Sequence, residues 1–144
     1  MTTDKSKTLT ASISLLNEKL HFEGNVEGNE PISIDYTTPL GDNLGYTSLE
    51  LFLLSLSSCV GSAILVLLRK MNKQIAKFEI TSIGERKVNH PTGFESISMQ
   101  VKIESSDIVT TDLEKVLERI EAICPVLSML DKGVETAINF KLNE

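Results

Sequence analysis

The longest apolar run, residues 49–68 (LELFLLSLSSCVGSAILVLL), limits what this chain can become more than any other feature. At about 20 residues it is long enough to cross a bilayer. It carries Glu50 and several serines, however, and the segments around it read as amphipathic soluble structure, so it is read as a buried helix rather than a membrane span. A helix that is apolar all round must be covered all round. One sheet from a small chain covers one side, so the other side calls for a second subunit, and the pattern predicts a homodimer. Thr47 or Ser48 stands at the head of this helix as a cap, with Glu50 in the first turn, where a carboxylate meets the helix dipole favourably. Arg69, Lys70 and Lys73 suit its other end.

The segments before it alternate apolar and polar residues. TLTASISLL, KLHFEG and PISIDYT, punctuated by Gly24, Asn25 and Gly28, read as a meander of strands, and TTPLGDNLGYTS as a loop. After the helix, KFEITSIGERKV and FESISMQVKIES are two further strands around an NHPTG turn, whose His-Pro pair disfavours helix. TTDLEKVLERIEAI places Leu113, Val116, Leu117, Ile120 and Ile123 at helical spacing, and Thr111 with Glu114 forms a capping-box pattern. CPVLSMLDKG reads as a short helix with Pro125 at its first position and Gly133 at its end, and VETAINFKL as a closing strand. The order β-β-β-α-β-β-α-α-β describes an α+β fold in a single domain, residues 1–144, with an antiparallel sheet on a long buried central helix.

A net charge of −6 and the lack of any basic stripe argue against nucleic acid as a partner. The N-terminus MTTDKSKTLT is polar, without the apolar stretch of a signal peptide, so a cytoplasmic protein is expected. Its two cysteines, Cys59 and Cys124, are then read as thiols rather than a permanent bridge. They lack CxxC spacing, and only His21 and His90 accompany them, so no metal site is expected.

Cys59 lies in the apolar helix amid Ser57, Ser58, Gly61, Ser62 and Ala63, which leave room for something to approach. An apolar setting alone would keep its thiol inert. Cys124 precedes Pro125 at the start of a short helix, where free N–H groups favour a thiolate. Both cysteines also read as simple packing residues, since free cysteine is among the most buried types. Glu50 reads as a capping charge, Arg86 as an exposed strand charge, Arg119 as a partner of Glu114 or Glu118, and His90 as a turn residue.

Taken together, SLELFLLSLSSCVGSAI and ICPVLSML resemble the two cysteine signatures of the OsmC/Ohr family of thiol-dependent hydroperoxide reductases, and the likeness extends from about residue 8 across the chain. The resemblance implies an OsmC-like, intertwined homodimer with the cysteine helices at its centre. It implies a thiol peroxidase (an antioxidant oxidoreductase of oxidative and osmotic stress) in which Cys59 is the peroxidatic thiolate and Cys124 the resolving thiol. Its substrates would be organic hydroperoxides or hydrogen peroxide, its reductant an external, lipoyl-type dithiol, and no cofactor is implied. Three departures from the family's pattern stand out. No arginine precedes Arg69, Ser48 replaces the helix-entry proline, and Glu50, the candidate catalytic acid, lies nine residues before the cysteine where the resemblance implies ten. One residue turns a helical side chain by about 100°. Arg86 is the candidate for the missing cation, with His90 a weaker one; Lys87 alternates to the opposite strand face. The competing functions are a binding or redox-responsive dimer without efficient turnover and a structural dimer with inert core cysteines.

Overall fold

A computed structural model describes residues 4–144; the first three residues of the polar N-terminal segment lie outside them. The chain forms two compact units, Met1–Leu51 and Phe52–Glu144.

The first unit is an antiparallel meander of β1 (Ser12–Leu15), β2 (Phe22–Asn25) and β3 (Ile32–Ile34), with Ser12 opposite Asn25 and Phe22 opposite Ile34. The loop after β3 is organised by one carboxylate. Asp35 is 1% exposed. Its Oδ1 accepts the N–H of Tyr36 at 2.7 Å, and its Oδ2 accepts those of Asp42 and Leu44, each at 3.1 Å. A side chain on Gly41 would run into Asp35 and the Tyr36 carbonyl, and one on Gly45 into the Ser33 backbone, so both positions admit only glycine. From the other side, the Ser33 hydroxyl donates to the Leu44 carbonyl at 2.7 Å and meets His21 Nε2 at 2.6 Å.

Helix α1 (Ser48–Lys70) starts in the first unit and runs through the second. Thr47 is its cap: Thr47 Oγ1 accepts the Glu50 N–H at 3.2 Å, and Glu50 Oε1 accepts the Thr47 N–H at 2.8 Å. These bonds, the backbone one foremost, hold the Glu50 carboxyl below its ordinary value.

The second unit lays α1 and α2 (Thr110–Ile123) against the sheet of β4 (Lys77–Arg86), β5 (Phe94–Glu104) and β6 (Glu135–Leu142), with β5 in the centre. The core joins Leu56, Val60, Ile64, Leu67 and Leu68 of α1, Ile97, Met99, Val101 and Ile103 of β5, and Leu113, Val116 and Ile120 of α2. The alternation of β5 is explained by this: its odd-numbered residues from 97 to 103 are buried while Ser98 and Lys102 stay at the other face.

The structure corrects the sequence-based expectation at three points. The second sheet is mixed rather than antiparallel: β4 and β5 form an antiparallel hairpin, but β6 runs parallel to β5. Strands 5 and 6 are joined through α2 and the one-turn helix α3 (Pro125–Ser128), and such a crossover returns the chain in the same direction. Within one chain the sheet covers one face of α1, as expected, leaving Leu54 54% and Val66 47% exposed. Helix α2 is capped earlier than Thr111: Asp112 Oδ2 accepts the Val109 N–H at 2.9 Å. Helix α3 ends at Ser128, and Gly133 belongs to the following turn, its N–H donating to Asp131 Oδ1 at 2.8 Å.

The loop carboxylate makes stability acid-sensitive. Burial pushes Asp35 up, but its three backbone donors outweigh this and hold it below its ordinary value of 3.8. A depressed carboxylate stabilises the fold above the unfolded-state value and ceases to do so as pH falls through the folded one. Asp35→Asn is therefore expected to be less stable than wild type at pH 7, with the gap closing below pH 3.8; denaturant melts at stepped pH measure it.

Candidate active site

The two cysteines are 65 positions apart in the chain, and the fold brings their sulfurs to 2.7 Å, the Cys124 S–H directed at the Cys59 sulfur. Neither is in a disulfide. Each is placed by backbone geometry. Cys59 stands on α1 one residue before the core residue Val60 and is half-buried. Cys124 sits at the junction of two helices: its N–H closes α2 on the Ile120 carbonyl at 2.9 Å, and its carbonyl accepts the Ser128 N–H of α3 at 3.0 Å. Its extended backbone (φ −95°, ψ 105°) suits a residue before proline. The side chain is thereby directed into the core, where it is 1% exposed.

The small residues around Cys59 have separate reasons. Gly61 faces β4: a Cβ there would stand 3.2 Å from both Ile80 Cδ1 and Phe78 Cε1, so glycine lets the helix settle on the strand. Ser57 faces β4 too. Its hydroxyl donates to the Leu53 carbonyl at 2.7 Å and meets Ser82 Oγ at 2.5 Å. Ser58 and Ser62 are exposed, on the side of Leu54 and Val66. The room expected around the thiol is thus partly contact with the sheet. The Ser57–Ser82 pair was not foreseen from the sequence, because a serine in a strand carries no mark of its partner.

The expectation for Cys124 is also corrected. Burial pushes this thiol up to about 11, reinforced by its bond to Cys59, and the Leu127 and Val126 N–H groups only partly offset this. Helix α3 is one turn long, and loss of water outweighs its few donors. Cys124 is a protonated thiol at neutral pH.

The other two candidates are engaged elsewhere. Glu50 is occupied with Thr47 in the cap described above. Arg86 ends β4 at a register shift and is exposed; its Nε donates to the Thr92 carbonyl at 2.7 Å and its Nη2 to the Thr92 hydroxyl, closing the β4–β5 hairpin. Among the described residues no cluster of three or more His, Cys, Asp or Glu side chains could hold a metal ion.

Residues 41–139 match the family described as OsmC-like protein, and the chain belongs to that family. No curated protein matches the chain. Solved structures share its fold. An OsmC-like protein from Mycoplasma pneumoniae superposes with a TM-score of 0.82 at 18% identity, covering 96% of this chain and 99% of that one. A hypothetical protein from Aquifex aeolicus gives 0.78 at 22% identity, covering 96% and 99%. The organic hydroperoxide resistance protein OhrB of Bacillus subtilis gives 0.65 at 16%, covering 93% and 98%. Proteins of this family are soluble and generally dimeric and are associated with peroxidase-type activity. Helix α1, long and apolar enough for a span, is here a core helix.

The raised Cys124 thiol has a direct chemical readout. In Cys59→Ser, iodoacetamide is expected to modify Cys124 slowly at neutral pH and faster as pH rises, since the thiolate is the nucleophile and burial, the largest cause of the raised value, remains. The same shift makes its contribution to stability complete below 9.0 and lost as pH rises through about 11. Rapid alkylation of Cys124 at pH 7 in folded protein would contradict the assignment.

Proposed function

We propose that this protein is a cytoplasmic thiol peroxidase that reduces organic hydroperoxides or hydrogen peroxide, with Cys59 peroxidatic and Cys124 resolving. The observation that carries the reading is the 2.7 Å approach of two thiols from distant parts of the chain. The Cys59 thiolate attacks the terminal peroxide oxygen; the O–O bond breaks, the alcohol (or water) leaves with a proton, and Cys59 becomes a sulfenic acid. The Cys124 sulfur then attacks the Cys59 sulfur. An S–S bond forms, the S–O bond breaks, and the departing hydroxyl takes the Cys124 proton as water. An external dithiol, of lipoyl type in this reading, restores both thiols by two exchanges and is itself left as a disulfide. A Cys124 that keeps its proton suits the second role, because it does not compete for peroxide.

The remaining assignments are part of the same proposal. The two compact units act as one domain, as a family match crossing their boundary supports. Glu50 is the acidic residue of the site, with its carboxylate fixed by Thr47. Arg86 is the cation serving the thiolate in the dimer, a role in which it exchanges its bonds to Thr92. That engagement favours a second reading, a redox-responsive dimer that forms the disulfide but turns over poorly.

Peroxide consumption with a dithiol tests these roles together. Cys59→Ser is expected to fall to background. Cys124→Ser is expected to undergo one oxidation without a disulfide, its Cys59 climbing to the sulfinic state seen by mass spectrometry. Arg86→Met is expected to lower the second-order rate constant by roughly tenfold or more. Full activity in Cys59→Ser refutes the mechanism, and an unchanged rate in Arg86→Met removes that residue from the site.

The dimer has its own test. The exposed flank of α1, with Leu54 and Val66, is proposed as part of its interface. Sedimentation is expected to give a dimer at micromolar concentration for wild type and a weakened one for Val66→Asp; a folded wild-type monomer would refute it.

A further inference from the structure

Two side-chain ties join α2 itself to the α1 segment, one near each end. The loop before α2 is held as well, Asp107 Oδ1 accepting the Gln74 N–H at 2.9 Å and the Ser105 hydroxyl donating to the Gln74 carbonyl. One tie is the thiol pair, at the C-terminal end of α2. The other lies at its N-terminal end. Lys73, just beyond α1, places Nζ 3.2 Å from Asp112 Oδ2 and 3.0 Å from the Asp107 carbonyl, to which it donates. This is not an ordinary surface pair. The Lys73 and Asp112 side chains are 23% and 10% exposed, whereas the Lys77–Glu104 pair, 77% and 51% exposed, spans 3.9 Å. Asp112 is further fixed by the Val109 N–H, so a pull on its carboxylate is a pull on the first turn of α2.

The helical spacings match. Cys59 lies fourteen positions before Lys73 and Asp112 twelve before Cys124, and on each side eleven of these positions run within the helix, to Lys70 of α1 and to Ile123 of α2. At about 1.5 Å per residue each helical stretch is roughly 16 Å. The start of α2 is tied to the end of α1, and the end of α2 to the middle of α1, so the helices run antiparallel. A slide of α2 along its axis changes the ion-pair distance and the sulfur–sulfur distance together. Between the two ties Leu113, Val116 and Ile120 belong to the apolar core, whose burial is non-directional.

We infer that Lys73, through its ion pair with Asp112, is a positioning residue for the thiol pair, fixing α2 along its axis and so setting the approach of Cys124 to Cys59. The inference rests on the two-thiol reading, though not on peroxide being the oxidant. Ring closure between two thiols depends steeply on their alignment, and a displacement of about 1 Å can cost a reacting pair up to a hundredfold.

The test equilibrates reduced protein with mixtures of reduced and oxidised glutathione. Protein dithiol and one glutathione disulfide give protein disulfide and two glutathione thiols, and the equilibrium constant reads the effective concentration of one cysteine at the other. Lys73→Met, which keeps much of the stem and removes the charge, is expected to lower this constant about tenfold. Lys73→Arg is expected to restore it to within about twofold of wild type. Asp112→Asn retains an oxygen for the Val109 N–H and loses the charge; it is expected to match Lys73→Met, and the double variant to fall no further, as coupled partners do. Lys77→Met is the control for a lost surface charge and is expected to leave the constant unchanged. Thermal melts report folding independently, and Asp112→Asn decides the matter if Lys73→Met does not fold. A wild-type constant in folded Lys73→Met or Asp112→Asn overturns the inference. If the wild type forms the disulfide in glutathione but consumes no peroxide, the peroxidase reading fails and the positioning role is still decided by the variants.

Discussion

The packing of one stripe of α1 against the β4–β5–β6 sheet is the constraint on which the second unit depends. Leu56, Val60, Ile64 and Leu68 are fully buried at helical spacing, and the cross-strand neighbours Phe78 and Ile103, and Ile80 and Val101, belong to the core they enter. At Gly61 the helix settles closely on β4, and the Ser57–Ser82 hydroxyls are a specific polar contact beside it. Apolar area alone would hold the helix down without choosing its rotation. The glycine and the paired hydroxyls choose it, and that rotation turns Cys59 toward Cys124.

The site's chemistry follows from the unequal surroundings of its two sulfurs. One is half-buried on a long helix; the other is closed off in the core at a helix junction. Desolvation pushes the second up, and a one-turn helix cannot offset it. The proposed division of labour between a reacting and a resolving thiol rests on that inequality and not on any difference in their covalent chemistry.

Much of the fold was legible because its signals are local. The strand alternation of FESISMQVKIES, the helical spacing of Leu113, Val116 and Ile120, and the proline after Cys124 each act within a few residues and appear where expected. The parallel direction of β6 was not legible, because pairing direction depends on where a crossover returns and not on strand composition. The cap of α2 fell to Asp112 over the Thr111–Glu114 pattern because this carboxylate also meets Lys73. In the site, the juxtaposition of Cys59 and Cys124 came from resemblance; the residues alone favoured packing over chemistry. Asp35 went unnoticed because a buried loop carboxylate looks like any other acidic turn residue until its three N–H donors fold back on it.

The parallel pairing of β5 and β6 also bears on how the chain reaches this state. Ser96 pairs with Glu135, so everything between them, including both later helices and Cys124, must be synthesised before that ladder can close. Contacts of this separation form late, since loop closure costs entropy before pairing repays it. The β4–β5 hairpin faces no such delay. A nascent chain therefore holds Cys59 on an apolar helix well before the strand that completes the sheet over it is in place. During that interval its thiol is open to any oxidant or foreign thiol in the surroundings. A reducing compartment protects the chain most while it folds, before the second sulfur has arrived.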